Sequence, residues 1–295
     1  MRQNHKKSGG KGGGPNIHLT DKCNQRCVFC LACNYKRMLT PAEIESRLRA
    51  GHRRISFEGG EPTLAPGLLK WVKKARALGT EEIVLFTNGL TLSGEEGPRA
   101  LAGAGVTRFI VNFPTHDPGL NDLITGTTGT LPGRLRALRN MCSLGGVKTQ
   151  LMVVVTSLNA PLLEEFAKFL AKYFRKLSYV EFSLVKVIGA AKKRPGLVPQ
   201  LSSAGPQVVR ALRVLGRAGI PCLTYGFPLC AIKGCADLSV DAAQMRRGEL
   251  QPESYLRVPA CASCAQRGAC PGPREDYVKV RGSGGITALR GPLAG

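Results

Sequence analysis

The chain has 295 residues, of which 43% are hydrophobic and 21% charged, so it can bury a large core and is not globally disordered. Lys and Arg outnumber Asp and Glu by 42 to 20, which gives a formal net charge of +22. The N-terminus lacks the apolar stretch of a signal peptide, and no run of about 18 apolar residues follows, so we expect a cytoplasmic protein without a membrane span. Eleven cysteines in a reducing compartment favour metal binding over a disulfide framework.

The order of predicted elements along the chain is regular. Residues 1–14 are rich in Gly and Lys and are expected to form a basic, flexible tail. Short apolar, β-branched runs then alternate with amphipathic segments of helical period. The runs predict strands over residues 16–20, 54–58, 82–87, 108–113, 150–155 and 179–185. The segments between and after them predict helices over residues 41–50, 67–78, 95–104, 131–144, 160–174 and 205–218.

Six βα units with mostly apolar strands indicate an α/β fold in which helices cover a parallel sheet. Eight units would form a complete TIM barrel, so six predict a partial (βα)6 TIM-type barrel over residues 15–220. Residues 221–281 hold six cysteines and little helical periodicity, which predicts a small Cys-rich C-terminal metal-binding domain. We expect residues 282–295 to form a second flexible tail. In a barrel of this kind the chemistry lies at the carboxyl ends of the strands.

A first cysteine array follows the first predicted strand. Cys23, Cys27 and Cys30 have C-x3-C-x2-C spacing. Thiolates are soft ligands that suit iron–sulfur clusters, and close spacing on one loop lets three of them bind one face of a cluster. Three ligands leave one iron of a cubane cluster open, as in catalytic rather than structural metal centres. Cys33 extends the array, and a zinc knuckle of Cys27, Cys30 and Cys33 is the alternative.

Three further motifs stand at the ends of the next strands. They are Gly59-Gly60-Glu61-Pro62, Thr87-Asn88-Gly89 and Val111-Asn112-Phe113. The two glycines of the first motif allow close backbone approach, and its glutamate supplies acceptors, which are the two things that a ligand ammonium group needs. The order of the motifs, one at the end of each successive strand, is more specific than any single motif.

Together with the cysteine array, these motifs resemble the radical SAM superfamily. The resemblance implies a [4Fe-4S] cluster on Cys23, Cys27 and Cys30, with S-adenosylmethionine (SAM) on its open iron. It implies reductive cleavage of SAM to a 5′-deoxyadenosyl radical that takes hydrogen from a substrate, with the electron supplied by an external flavodoxin- or ferredoxin-like donor. The residues that it assigns to cofactor binding are Phe29, Gly59, Gly60, Glu61, Thr87 and Asn112.

A second cysteine array lies near the C-terminus. Its C-x2-C-x5-C spacing is similar to that of the SPASM and twitch auxiliary-cluster domains, and its members are Cys261, Cys264 and Cys270. A full SPASM array would carry a further cysteine where Arg274 stands, so the resemblance implies a single auxiliary [4Fe-4S] cluster. Cys230 is the expected fourth ligand, with Cys222 or Cys235 as alternatives. A structural zinc site would be served by the same spacing.

Positive charge is concentrated where the barrel mouth is expected. Residues 1–54 carry an excess of nine positive charges, and Lys192-Lys193-Arg194 follow the sixth strand. Such charge would attract a phosphorylated or carboxylated substrate or an acidic peptide. Aromatic residues make up only 6% of the chain and no RNA-binding module is evident, so nucleic acid is not the favoured partner.

These observations predict an enzyme that oxidises, crosslinks or epimerises a ribosomally made peptide. One alternative is a radical SAM enzyme that oxidises or rearranges a carbohydrate- or nucleotide-derived metabolite. Another, from a different class, is a non-catalytic iron–sulfur or zinc protein for electron transfer or scaffolding. The sequence assigns no catalytic residue beyond the cofactor-binding groups.

Overall fold

A computed structural model describes residues 14–31 and 38–291 of the chain. Apart from Gly14, the predicted N-terminal tail lies outside the described residues, and so does Cys33. Strands and helices alternate from residue 16 to residue 225, as the hydrophobic pattern predicts. Within the described ranges, no helix is long and apolar enough to cross a membrane.

The centre of the fold is one parallel sheet, in which each strand pairs with the next strand along the chain. Its strands are β1 (Asn16–His18), β2 (Arg54–Glu58), β3 (Glu82–Thr87), β4 (Arg108–Asn112), β5 (Lys148–Val155), β6 (Tyr179–Leu184) and β7 (Cys222–Tyr225). Because β1 and β7 are the two ends of this order, the barrel is open. Because all strands run the same way, their carboxyl ends and the loops after them share one edge.

Helices connect the strands and cover the outer face of the sheet. They are α1 (Pro41–Arg49), α2 (Leu68–Ala77), α3 (Glu96–Ala104), α4 (Pro118–Thr125), α5 (Leu131–Cys142), α6 (Leu163–Tyr173), α7 (Leu201–Arg217), α8 (Val240–Arg246) and α9 (Glu275–Arg281). α1 begins with a capping box, in which Thr40 and Glu43 each accept the other's backbone N–H. In α6, Leu163, Phe166 and Leu170 are buried, which is the face that the helical period predicts.

The α/β fold with a partial barrel is confirmed, but among the described residues the sheet has seven strands instead of the predicted six. β7 is only four residues long and pairs with β6 through Val180 and Cys222. Such a short run, between Pro221 and Gly226, gives no distinct period. The boundary predicted at residue 220 therefore falls before the last strand of the sheet. α4 is a further helix that the period did not indicate, because it has only eight residues.

Of the segment 282–295, which the sequence leads us to expect as a flexible tail, the structure describes residues 282–291. Ile286 and Leu289 are buried, although the segment is rich in glycine. The N–H of Ala265 donates to the carbonyl of Leu289 at 2.9 Å. Both side chains line the cavity that the C-terminal cysteines surround.

Candidate functional site

The first cysteine array lies on the loop after β1, at the carboxyl edge of the sheet. Backbone hydrogen bonds hold this loop from two sides. On one side it donates to the end of α4, from Arg26 to Thr125 (2.8 Å) and from Val28 to Ile124 (2.9 Å). On the other side, the carbonyl of Cys30 accepts the N–H of Ala190, in the turn after β6, at 2.9 Å. Contacts within the protein therefore hold residues 26–30 of this loop in place.

The glycines at the end of β2 allow that strand end to pack against the cysteine loop. The N–H of Gly60 donates to the carbonyl of Thr20 at 2.7 Å, and the N–H of Glu61 donates to that of Lys22 at 2.8 Å. A Cβ on Gly59 would lie 2.4 Å from the Thr20 oxygen, and one on Gly60 would lie 2.2 Å from the Lys22 oxygen. The sequence assigned the close approach of these glycines to a ligand. In the structure, the glycines approach the backbone of the loop that carries Cys23.

The carboxylate of Glu61 joins the ends of β2 and β3. It is 1% exposed and accepts hydrogen bonds from Thr63 (N–H, 3.2 Å; hydroxyl, 2.7 Å), from the hydroxyl of Thr87 (2.8 Å) and from the N–H of Asn88 (2.7 Å). Burial raises the pKa of this carboxyl, and the hydrogen bonds oppose the rise. Three of the four donors bind Oε1 and one binds Oε2, so Oε2 keeps an acceptor position for a further donor such as a ligand ammonium group.

A cavity of about 350 Å³ opens at this edge of the sheet. It brings together all the residues that the sequence assigned to the first site, namely Cys23, Cys27, Phe29, Cys30, Gly59, Gly60, Glu61, Thr87 and Asn112. The opposite wall is formed by the ends of β6 and β7 and includes Glu181, Ser183, Lys186 and Tyr225, which the sequence did not single out. The inward direction of Glu181 and Ser183 follows from the two-residue period of a strand, whereas Lys186 lies in the turn after β6.

Two buried polar atoms in the lining of this cavity lack a hydrogen-bond partner among the described residues. They are Oδ1 of Asn112 and Nε2 of Gln25. Gln25 is 6% exposed, and its Oε1 accepts the thiol of Cys27 at 3.7 Å. Because buried polar atoms are nearly always hydrogen-bonded, both atoms point to a polar ligand in the cavity. The lining therefore fits a ligand with the donors and acceptors of SAM.

Three soft thiols lie around this cavity, a donor set that suits an iron–sulfur cluster. Zinc would require four ligand atoms about 2.0–2.3 Å from one point. In the part of the chain that the structure describes, no three His, Cys, Asp or Glu side chains are placed to hold one metal ion. The alternative zinc knuckle includes Cys33, which is outside the described residues.

Arg134 of α5 is a buried cation beside this site that the sequence reading missed. Its Nε donates to the carbonyl of Asn88 at 3.1 Å, and its other nitrogens donate to the side chain of Asn121 and the carbonyl of Asn112. Burial lowers the pKa of Arg134 to about 10, against the influence of Cys27 and Glu61. For Cys27, burial raises the pKa to about 12, and the charge of Arg134 opposes the rise. The signal in the sequence is the spacing: Arg134 lies three residues after Leu131 and four before Leu138, on the apolar face of the helix.

Replacing Arg134 by methionine is expected to lower the free energy of unfolding by about 3 kcal/mol, because it leaves three buried acceptors without donors. Urea denaturation of the metal-free protein measures the change. Arg136→Met is the matched control, since Arg136 is exposed on the same helix and should change stability by less than about 0.5 kcal/mol. Equal unfolding midpoints for the two variants would contradict the assignment of Arg134 as a structural cation.

Exposed cations surround the cysteine loop. Lys22 and Arg26 lie on the loop itself, and Lys192, Lys193 and Arg194 lie on the turn after β6. Gly189 opens this turn, and a Cβ there would lie 2.2 Å from the carbonyl oxygen of Cys30. The turn therefore packs directly on the loop, which brings both groups of positive charge to the same end of the barrel.

The C-terminal cysteines surround a second, smaller cavity. Its lining includes all four residues that the sequence favoured, Cys230, Cys261, Cys264 and Cys270. The alternatives Cys222 and Cys235 are buried elsewhere: Cys222 lies in β7, with its thiol 3.7 Å from the carbonyl of Leu212, and Cys235 is close to it. Burial raises the pKa of Cys230 to about 11. Four thiols around one cavity allow an auxiliary cluster.

Backbone donors point at the sulfur atoms of this second cavity. The N–H groups of Leu229 and Gly272 each lie 3.4 Å from Sγ of Cys270, and the N–H of Leu289 lies 3.4 Å from Sγ of Cys264. Hydrogen bonds to sulfur are one of the means by which proteins set the potential of iron–sulfur clusters. The donor from Leu289 comes from the segment that the sequence assigned to a flexible tail.

Truncation before Ser283 is expected to open the second cavity, because it removes the buried Ile286 and Leu289 together with the N–H donor to Cys264. In metal-free protein, we expect N-ethylmaleimide to modify the C-terminal thiols at least about tenfold faster, since buried thiols react slowly. Mass spectrometry of the modified peptides measures the rates. Cys27, in the other cavity, is the internal control, and unchanged rates at Cys230 and Cys264 would contradict the role of this segment.

The fold and the site together define an open βα barrel with a thiol-lined cavity at the carboxyl ends of its strands. The family model of the radical SAM superfamily matches residues 17–172, which is more than half of the chain. The chain therefore belongs to the radical SAM superfamily, whose members use a [4Fe-4S] cluster and SAM.

Relatives within the superfamily have different activities. The chain is 32% identical over 212 residues to a protein of Thermococcus kodakarensis named probable GTP 3′,8-cyclase, covering 60% of this chain and 67% of that protein. It is 30% identical over 164 residues to the mycofactocin maturase MftC of Mycobacterium tuberculosis, covering 52% of this chain and 41% of that protein. The fold is similar to that of SuiB of Streptococcus suis bound to S-adenosylmethionine, with a TM-score of 0.54 and 16% identity, covering 71% of this chain and 46% of SuiB.

Proposed function

We propose that this protein cleaves SAM reductively and abstracts a hydrogen atom from a substrate bound in the central cavity. The observation that carries the proposal is the placement of Cys23, Cys27 and Cys30 in one cavity with the Gly59-Gly60-Glu61 turn. When bound there, the cluster and SAM supply the 5′-deoxyadenosyl radical.

The protein's own residues have three tasks in this proposal. Cys23, Cys27 and Cys30 are the cluster ligands. SAM is bound and oriented by residues that line the cavity, namely Phe29, Gly59, Gly60, Thr87 and Asn112. Glu61 holds the Gly59-Gly60-Glu61 turn in place through its hydrogen bonds from Thr87 and Asn88. The buried position of Phe29 and Thr87 helps to exclude water from a reactive intermediate. The electron comes from an external flavodoxin- or ferredoxin-like donor, which the exposed cations around the cysteine loop would attract if its surface is acidic.

For the substrate, we propose an anionic metabolite derived from a nucleotide as the first candidate. Lys186 lies in the cavity wall, and the cations of the loop and turn lie at its mouth, so the site attracts phosphate or carboxylate groups. The similarity to GTP 3′,8-cyclases supports this candidate. A ribosomally made peptide, the class that the sequence favoured, is the second candidate, and the similarity to the maturase MftC supports it.

For the C-terminal thiols, we propose an auxiliary [4Fe-4S] cluster on Cys230, Cys261, Cys264 and Cys270. The support is their common cavity together with the backbone N–H groups that face two of the sulfurs. A cytoplasmic location is proposed with it, because iron–sulfur clusters and eleven cysteines suit a reducing compartment.

Anaerobic reconstitution with iron and sulfide, followed by SAM and dithionite, tests this function. We expect 5′-deoxyadenosine and methionine in equal amounts, measured by chromatography. Nucleoside triphosphates, and any short precursor peptide encoded beside the gene, are then added separately, and the true substrate should increase 5′-deoxyadenosine formation. Intact clusters without any 5′-deoxyadenosine would reject the proposal, and stimulation by peptide alone would reverse the order of the two substrate candidates.

A further inference from the structure

We propose that Arg274 is a positioning residue that fastens the C-terminal cysteine unit, residues 226–291, to the end of β6 and so fixes one wall of the central cavity. The role of that wall in ligand binding rests on the proposed function. The hydrogen bonds that attach Arg274 to the end of β6 are independent of it. Nothing in the sequence distinguishes Arg274 beyond its position four residues after Cys270.

The guanidinium group of Arg274 binds the chain where β6 ends. Its Nη1 donates to the carbonyl of Leu184 at 2.9 Å, and its Nη2 donates to the carbonyl of Val185 at 2.6 Å. Leu184, Val185 and the following Lys186 all line the central cavity. Arg274 is only 5% exposed, so these hydrogen bonds are shielded from water.

Asp276 completes the attachment from the same helix end. It accepts Nε of Arg274 at 2.9 Å and Nη2 at 3.2 Å, and it also accepts the N–H of Val187 at 2.8 Å. The pair therefore binds two carbonyls and one N–H of the same short segment. Burial alone would raise the pKa of Asp276, but the charge and hydrogen bonds of Arg274 outweigh it and hold the pKa below its usual value.

Gly226 leaves room for the guanidinium group of Arg274. Gly226 follows β7 with φ of 81°, and a Cβ there would lie 2.4 Å from Nη1 of Arg274. The N–H of Gly226 donates to Asp241 at 2.6 Å, and Asp241 also accepts the hydroxyl of Tyr255. Tyr255 also forms a backbone β-bridge with Arg274, so the two residues are joined within the C-terminal unit.

The geometry requires arginine in particular. A planar guanidinium with five N–H groups can bind two successive carbonyls and a carboxylate at once, whereas a lysine ammonium has three donors from one point. Because a misplacement of about 1 Å in a binding site can reduce the rate of an enzyme about a hundredfold, an attachment of this kind matters for function. It links the position of the cavity wall to the folding of the unit that carries the second cysteine array.

The test uses full-length protein, purified anaerobically, and hydrogen–deuterium exchange of the peptide that contains Val187. In Arg274→Met, the amide of Val187 should exchange at least about tenfold faster, because the carboxylate that accepts it is no longer held in place. Arg274→Lys should show a smaller increase. Arg246→Met, at an exposed arginine of the same unit, is the matched control and should exchange like the wild type.

Reconstituted protein gives a second readout. In Arg274→Met, the KM for the nucleoside triphosphate or peptide that stimulates SAM cleavage is expected to rise about tenfold while kcat stays within about threefold, since the wall carries Lys186 and contains none of the three cluster cysteines. Iron content and the electron paramagnetic resonance spectrum of the reduced protein should match the wild type. A merely structural role would lower the amount of active protein without changing KM.

Unchanged exchange at Val187 in a folded Arg274→Met protein would overturn the inference. If that variant does not fold, exchange at Val187 is measured in Asp276→Asn and in Gly226→Ala instead. Each of these substitutions disturbs the same attachment without removing the arginine. Faster exchange in both supports the inference, and wild-type exchange in both overturns it. A wild-type protein that forms no 5′-deoxyadenosine would reject the proposed function and leave the exchange result standing.

Discussion

Replacing Cys23, Cys27 and Cys30 together by alanine is expected to abolish reductive cleavage of SAM. All three thiols line the central cavity, and no cluster can be bound there without them. We expect 5′-deoxyadenosine formation to fall by at least about a thousandfold, to the level of buffer. The iron content should fall by about four atoms per chain, the number in one [4Fe-4S] cluster.

The second cysteine array should be unaffected, because it has its own cavity and its own backbone donors. The iron that remains in the triple variant therefore belongs to the auxiliary site alone. If this variant contains zinc and no iron, the proposal of an auxiliary cluster is rejected. Cys142→Ala is the matched control. Cys142 is half-buried at the end of α5, outside the linings of both cavities, so iron content and SAM cleavage should stay at wild-type values.

The second large effect is expected from Gly60→Ala. The added Cβ would lie 2.2 Å from the carbonyl oxygen of Lys22 and 2.7 Å from that of Asp21. Both obstacles are backbone atoms, so either the cysteine loop or the end of β2 must move. We expect a loss of about 2–3 kcal/mol in the free energy of unfolding, as for other overpacked sites, and loss of the first cluster.

Gly103→Ala is the control for this substitution. Gly103 lies in α3, and a Cβ there meets no atom within 4 Å, so alanine should stabilise the protein by about 0.5–1 kcal/mol. Urea denaturation and iron analysis separate the two effects in each variant. A Gly60→Ala protein with wild-type stability and a full complement of iron would show that the loop does not need this close contact.

The parts of the fold that the sequence predicts are those in which local pattern and long-range packing agree. The buried strands and the amphipathic helices carry their period in the sequence, and the structure places them close to the predicted bounds. β7 and α4 were missed because four or eight residues give too little period to detect. The role of Ile286 and Leu289 depends on a distant partner, the C-terminal cysteine array, which composition cannot reveal.

For the candidate site, motif spacing grouped the residues of each cavity, but it could not assign their tasks. The motif that contains Glu61 was recognisable, whereas the hydrogen bonds that its carboxylate accepts from Thr63, Thr87 and Asn88 are a property of the assembled strand ends. Arg134 was overlooked because a charged residue in a helix is usually exposed. Its place on an apolar face was visible, and a search for charges on such faces would have found it.

The support of the cysteine loop has a consequence for how the protein acquires its cofactor. Fixing a residue's backbone costs about 1–2 kcal/mol of conformational free energy, so ordering a flexible loop of this length on cluster binding would weaken the affinity for iron and sulfide considerably. Hydrogen bonds from Gly60, Glu61 and Ala190, and to Thr125 and Ile124, hold residues 20–30 of the loop. Each of these contacts lowers the ordering cost that cluster binding would otherwise bear, so a substitution that removes them should weaken the affinity for iron and sulfide as well as the fold.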